Sequence, residues 1–210
     1  MSEKKLRSEI FPKPQTPNPK PLLQRCEWCE GDEEYARYHD EEWGVPLRDS
    51  QKLFEFLILD GAQAGLSWIT ILKRREAYRA AFDKFDAEKI VRYTDKDFER
   101  LIGNAGIIRN KLKIISVVKN ARAYLEFAEK GASFSDWLWD FVDGKPIINK
   151  YKTLKEIPAS TPLSEQISKE LKKRGFTFVG PVIIYAFMQA AGLMNDHITS
   201  CFRYHEVMEL

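Results

Sequence analysis

The chain has 210 residues, 44% hydrophobic and 30% charged, the balance of a water-soluble globular protein with room for one large core or two smaller ones. No apolar run is long enough to cross a bilayer and the Lys/Glu-rich start lacks a secretory signal, so a cytoplasmic protein with no membrane partner is expected. A net charge of +2 is well short of a dedicated nucleic-acid binder, and three cysteines argue against a disulfide framework.

Residues 1–22 are rich in lysine and proline (Pro12, Pro14, Pro17, Pro19, Pro21) and predict a disordered leader. From Asp32 onward the periodicity is helical. Start signals are Ser50 before an apolar run, Ser67 before the run from Trp68 to Phe82, and Thr94 with Asp97 before Phe98. Further helices are expected over 107–129, from Thr161 to Lys173 with Pro162 first and Gly175 past the end, and over 181–191. Alternation of period two is absent, which predicts an all-α fold of roughly eight to eleven short helices. The cluster Lys172, Lys173 and Arg174 reads as a solvated helix face.

Gly103 and Gly106 lie between two helical stretches and are followed by Arg109, Lys111 and Lys113. This segment looks like a helix-hairpin-helix turn, in which free backbone N–H groups and nearby cations hold a phosphate. A purely steric turn between two helices reads the same way.

Cys26 and His39 stand near the start of the chain, His197 and Cys201 near its end. A spacing of four puts His197 and Cys201 on one face if they are helical, and two thiolates with two imidazoles would fill a tetrahedral zinc shell, leaving no place for water. Ordinary buried thiols and unconnected histidines fit the spacing equally well, and Cys29 adds a third thiol nearby.

Trp28, Tyr35, Tyr38, Trp43 and Trp68 gather around the stretch from Leu59 to Trp68. Core packing is the plain reading of such residues. Asp60 ends an apolar run, where a carboxylate is costly to bury without a partner. Rings around an acid suit a flat cationic ligand through stacking, cation–π attraction and an accepted N–H bond.

The ordered stretches Tyr38-His39-Asp40-x-Glu42-Trp43-Gly44-Val45-Pro46, Gly61-Ala62-Gln63-Ala64-Gly65-Leu66-Ser67-Trp68, Ala105-Gly106-Ile107-Ile108-Arg109, Lys172-Lys173-Arg174-Gly175-Phe176-x-Phe178-Val179-Gly180 and Asn195-Asp196-His197 with Cys201 resemble the DNA-3-methyladenine glycosylase I family. The resemblance covers about residues 25 to 202. It implies a single helix-hairpin-helix glycosylase unit over 23–210, of two helical lobes, with the hairpin near 95–125. It also implies one structural zinc on Cys26, His39, His197 and Cys201 joining the two ends.

The activity so implied is excision of N3-methyladenine from alkylated duplex DNA by base flipping, at the start of base excision repair, by a monomer. Asp60, Tyr38, Trp68, Tyr35 and Trp43 match the pocket, with Trp28 a possible addition. Leu66 matches the plug that fills the gap in the duplex, and Gly103, Gly106, Arg109 and Lys111 face the backbone. A damage-binding protein without turnover is the alternative. The family carries Glu where this chain has Asp60. It also lacks the aspartate that other helix-hairpin-helix glycosylases place after the hairpin, and here no Asp lies between Ile107 and Ser135. Glu126 and Glu129 read as solvated acids rather than substitutes.

Overall fold

The computed structural model describes residues 23–210, and the segment 1–22 expected to be a leader lies outside them. The described residues form eleven α-helices: α1 (Glu33–Glu41), α2 (Ser50–Gln63), α3 (Trp68–Leu72), α4 (Arg75–Ala81), α5 (Ala87–Ile90), α6 (Asp95–Gly103), α7 (Lys111–Glu129), α8 (Phe134–Trp139), α9 (Pro162–Lys173), α10 (Pro181–Ala190) and α11 (Arg203–Glu206). The all-α expectation meets one small exception. Ile147–Ile148 (β1) and Met194–Asn195 (β2) pair in parallel, two residues each and too short to leave a periodic signal.

α2 organises the interior. It is apolar on nearly every side, the pattern of a helix enclosed by others, and every residue from Leu53 to Ala62 except Phe56 is buried. Leu53 and Leu57 join one apolar cluster with Phe127, Leu138, Ile167, Leu171, Ile184 and Phe187 of α7 to α10. Phe54, Ile58 and Leu59 join a second with Ile71, Phe82, Ile90, Leu101, Ile114 and Val117 of α3 to α7. A third cluster gathers Cys26, Tyr38, Trp43 and Cys201 with Trp28 and Trp68 packed against it.

Several helix ends follow the expected chemistry. Thr94 and Asp97 form a reciprocal capping box on α6, and Thr161 caps α9, with Pro162 at its first position and Gly175 left-handed beyond its end (φ +90°). The run predicted from Trp68 to Phe82 is instead two helices broken at Lys73 and Arg74. The break sends three successive cations to three partners: Lys73 to Asp32, Arg74 to the Ala105 carbonyl and Arg75 to Glu42.

The connection from α6 to α7 also departs from expectation. The Gly106 amide, expected to be free for a phosphate oxygen, donates to Asn104 Oδ1 at 2.8 Å. Neither Gly103 nor Gly106 has a positive φ. Gly106 is required by close approach, since a Cβ there would lie 2.9 Å from the Ala77 Cβ, whereas nothing lies within 4 Å of one at Gly103. α7 begins at Lys111, capped by Asn110 Oδ1, four residues later than the periodicity suggested. Gly106→Ala is therefore expected to cost about 1–3 kcal/mol by overpacking. Gly103→Ala is expected to be neutral or stabilising by up to about 1 kcal/mol. Urea unfolding of both variants checks the contrast.

Candidate active site and metal centre

Four helices and the turns on either side of α1 converge on one cavity of about 210 Å³, smaller than the roughly 300–1,000 Å³ clefts of drug-sized ligands. The turn before α1 contributes Trp28, α1 contributes Tyr35 and Tyr38, and the following turn contributes Trp43. α2 supplies Asp60 and Gln63, Trp68 opens α3, and α10 adds Ala186, Gln189 and Ala190, with Ile157 closing the rim. The rings are mutually braced: Trp28 lies 4.8 Å from Tyr35 and 5.1 Å from Trp43, and Tyr38 lies 5.4 Å from Trp68. Tyr35 and Tyr38 share a helix face by their spacing of three.

Asp60 is 3% exposed, and its Oδ2 is buried with no partner among the described residues. Burial alone pushes its carboxyl well above the usual range. The Trp68 Nε1 donor is likewise buried and unpartnered. Burial, then the nearby Asp60, also raises the Tyr38 phenol. The backbone of Phe178 presses on α2 beside Asp60: a Cβ at Gly61 would lie 3.3 Å from both the Phe178 Cβ and its carbonyl oxygen. Phe178 itself is left-handed (φ +55°), a strained state for an aromatic residue. Its neighbours hold it there, through paired bonds between Asn120 and Thr177 and through the Ser168 hydroxyl donating to the Val179 carbonyl.

Against the back of this cavity lie Cys26, His39, His197 and Cys201, all buried, their ligating atoms within 4.8 Å of one another. Cys201 Sγ is 3.4 Å from His39 Nε2 and 3.6 Å from His197 Nδ1, and Cys26 Sγ is 3.7 Å from His197 Nδ1. Metal–sulfur and metal–nitrogen bonds of about 2.3 and 2.0–2.1 Å at tetrahedral angles imply an S···N edge of about 3.6 Å. The other ring nitrogens are engaged: His39 Nδ1 donates to Asp40 Oδ1 at 2.8 Å and His197 Nε2 to the Trp43 carbonyl at 3.1 Å. That fixes both tautomers with a lone pair aimed into the cluster. Arg25 grips Asp40 with two nitrogens. Pairing with Cys26, with support from both histidines, pulls the Cys201 thiol well down, while that same pairing and burial raise Cys26. These four residues can hold a metal ion.

The geometry has counterparts in known proteins. A family model described as methyladenine glycosylase matches residues 28–204. DNA-3-methyladenine glycosylase 1 of Escherichia coli (strain K12) is 53% identical over 182 residues, spanning 87% of this chain and 97% of that protein. This chain belongs to the methyladenine glycosylase family. A DNA-3-methyladenine glycosylase of Haemophilus influenzae is 50% identical over 86% of this chain and 97% of its own length. A crystal structure of a 3-methyladenine DNA glycosylase I superposes with a TM-score of 0.84 at 56% identity, covering 85% of this chain and 98% of that one. A Staphylococcus aureus structure described as the basis of 3-methyladenine recognition gives a TM-score of 0.82 at 39% identity over 86% and 96% of the two chains.

In this family member the six residues nominated for the pocket, Trp28, Tyr35, Tyr38, Trp43, Asp60 and Trp68, line one cavity. The four nominated ligands share one cluster. His197 and Cys201 meet without the helix their spacing suggested, because residues 196–202 form turns in which the Cys201 amide donates to the Ile198 carbonyl. Leu66 is 40% exposed on the turn after α2, and Gly65 there is left-handed (φ +77°). Arg109 and Lys111 are exposed, Gly103 is exposed beside them, and Gly106 is partly covered. Lys113 is turned inward, donating to the carbonyls of Ala62 and Ala64, so it braces the Leu66 turn. Arg174 does not sit on a solvated face but stacks 4.8 Å over Phe127 and 5.1 Å over Trp137. Glu126 pairs with Lys130 on the surface, and Glu129 is exposed. Sequence reasoning missed Gln63, Gln189 and the supporting Asp40. Among the described residues no helix is long and apolar enough to cross a membrane.

Asp60 has a folded-state pKa raised above its ordinary value of 3.8, so the folded state keeps a proton that the unfolded chain releases. Its contribution to stability is therefore nil below that value and grows more unfavourable as pH rises towards the raised pKa. Asp60→Asn is expected to raise Tm, and by more at pH 7.5 than at pH 5. Thermal melts at the two pH values measure this, and a pH-independent difference refutes it. Cys201→Ser is expected to lose bound metal and several kcal/mol of stability, read by elemental analysis and thermal unfolding.

Proposed function

We propose that this chain hydrolyses the N-glycosidic bond of N3-methyladenine in alkylated duplex DNA, flipping the nucleotide from the stack into the ring-lined cavity. One observation carries the reading: an unpartnered carboxyl oxygen buried within a cage of five aromatic residues. A buried acid of this kind is unfavourable unless a partner arrives with the ligand. A flat purine bearing positive charge supplies that partner. The rings stack on it, and Asp60 ionises as the cation enters, accepting its N–H bond and balancing its charge. Stable binding of the cationic base thus releases the proton that burial holds on Asp60.

Methylation at N3 leaves the base positively charged and its bond to the sugar already weak. The base departs without being protonated, which fits a site without an aspartate in α7. The family relation supports the same substrate. The relatives carry the name DNA-3-methyladenine glycosylase, and one related structure is of a variant in complex with 3-methyladenine. In this reading 23–210 act as one unit whose two larger apolar clusters are its lobes. α6 and α7 form the helix-hairpin-helix, with Gly103, Gly106, Arg109 and Lys111 along the DNA backbone, and Leu66 fills the gap left by the flipped base. The Cys/His cluster holds one zinc in a closed shell with a structural role.

Asp60 keeps the charge of the family's Glu with one methylene less, which withdraws its oxygen by about 1.5 Å. Its Oδ2 is buried without a partner among the described residues. On methylated duplex DNA, the wild-type chain is expected to release free 3-methyladenine. Asp60→Ala should lose roughly 1.5–3 kcal/mol of transition-state stabilisation, about ten- to a hundred-fold in rate, and Asp60→Glu should stay active with altered lesion selectivity. Chromatography of the released bases decides it. Equal rates in all three proteins remove Asp60 from the mechanism, and binding without release in the wild type turns the protein into a damage-recognition protein.

A further inference from the structure

α10 is apolar along its length except at Tyr185 and Gln189, one turn apart on the same face. Both donate to a single oxygen, Asp196 Oδ2, the Tyr185 hydroxyl at 2.6 Å and the Gln189 Nε2 at 2.8 Å. The other oxygen, Oδ1, accepts from Asn149 Nδ2 at 2.6 Å, and Asp196 is 1% exposed. A carboxylate only accepts, so it decides which end of the Gln189 amide faces it. The NH2 group is committed to Asp196. The carbonyl Oε1, bonded by no group among the described residues, is the end left for the cavity that Gln189 lines together with Asp60.

We propose that Gln189 is a specificity-determining residue whose Oε1, held in place by Asp196, accepts a hydrogen bond from the exocyclic amine of the purine in the cavity. The proposal rests on the reading of that cavity as a methylated-purine site. Adenine carries an amine at position 6 where guanine carries a carbonyl oxygen. The amine meets the Gln189 oxygen as a donor. A carbonyl in the same place sets two acceptors against each other out of water, the mismatch that a hydrogen-bonding site rejects most strongly. Rotating the amide to suit the carbonyl would turn the Gln189 oxygen onto the Asp196 carboxylate, so that escape is blocked by repulsion between acceptors. Tyr185 and Asn149 are positioning residues here, acting on the purine only through Asp196 and Gln189.

The test uses the full chain as purified and two free bases, 3-methyladenine and 3-methylhypoxanthine, which has oxygen in place of the amine. Binding is followed by quenching of tryptophan fluorescence in wild type and in Gln189→Met, a variant of similar length without either amide group. Wild type is expected to prefer 3-methyladenine by about tenfold or more, and Gln189→Met to narrow that ratio to about threefold or less. Equal affinities in wild type, or an undiminished ratio in the variant, overturn the proposal. A ratio is insensitive to partial loss of folded protein. Should Gln189→Met fail to fold, Gln189→Asn, which keeps the amide but withdraws it by one methylene, is judged by the same ratio. Failure of the cavity reading shows itself differently, as wild-type protein that binds neither base, and it removes this proposal as well.

Discussion

The Cys/His cluster is the constraint on which the rest of the site depends, because its ligands and the cavity walls come from the same short segments. Between Cys26 and Trp43 the chain alternates between the two tasks: Cys26 and His39 face the cluster, while Trp28, Tyr35, Tyr38 and Trp43 face the cavity. Trp43 is shared directly. Its ring lies 4.6 Å from the His197 ring and its carbonyl accepts from His197 Nε2. The two and a half turns of α1 and the short turn at Trp28 bury too little apolar surface to hold such walls alone. Fastening them to the C-terminal turn fixes the rings around the cavity. Gly44 shows how close this fastening is. Its left-handed backbone (φ +81°) passes so near His197 that a Cβ would lie 3.0 Å from Nε2.

The opposite wall is set by a different force. α2 is enclosed by apolar clusters on two sides, and near its C-terminal end Asp60 and Gln63 face the ring-lined cavity. The arrangement costs stability, since a carboxyl without a partner is held protonated by burial. Structures that keep such a cost do so where a ligand later offsets it. The left-handed Phe178, held over Gly61 by Asn120 and Ser168, adds a second local strain on the same stretch of α2. Two unfavourable features one residue apart, both maintained by packing from elsewhere, mark this stretch as shaped for a ligand more than for folding.

How much of this was legible in the sequence depended on the range of the force involved. Local chemistry read well: the capping box of Thr94 with Asp97 and the Thr161, Pro162 and Gly175 signals appear as expected. Long-range coincidence was legible only through the family resemblance, since by spacing alone the two cysteines and two histidines fitted unconnected buried residues equally well and the five aromatic residues read first as core. Features decided by distant partners were not legible. The break between α3 and α4 follows the separate destinations of Lys73, Arg74 and Arg75. The inward turn of Lys113 follows two carbonyls at the end of another helix and the turn beyond it. The turn from His197 to Cys201 shows that a spacing of four does not require a helix, because a tight turn brings the same two side chains together. Gln189 did leave a trace, as a polar residue in an otherwise apolar helix four positions after Tyr185, but its meaning needed Asp196.

Asp196 closes the circuit between the two halves of the site. It precedes His197, its Oδ1 accepts from Asn149, which follows β1, and its Oδ2 takes Tyr185 and Gln189 from α10. The two-residue pairing of β1 with β2 aligns Ile148 with Asn195. It therefore holds Asn149 and Asp196, the next residues on either strand, side by side. A ligand-bearing turn, a minimal sheet and a cavity-lining helix thus share one buried carboxylate, and each is satisfied only when the others are in register. A neutral amide at this position would lack the capacity to accept all three bonds at once, which is why an ionisable residue stands where burial would otherwise exclude one. The same carboxylate that stiffens the back of the fold also holds Gln189 at the polar edge of the cavity.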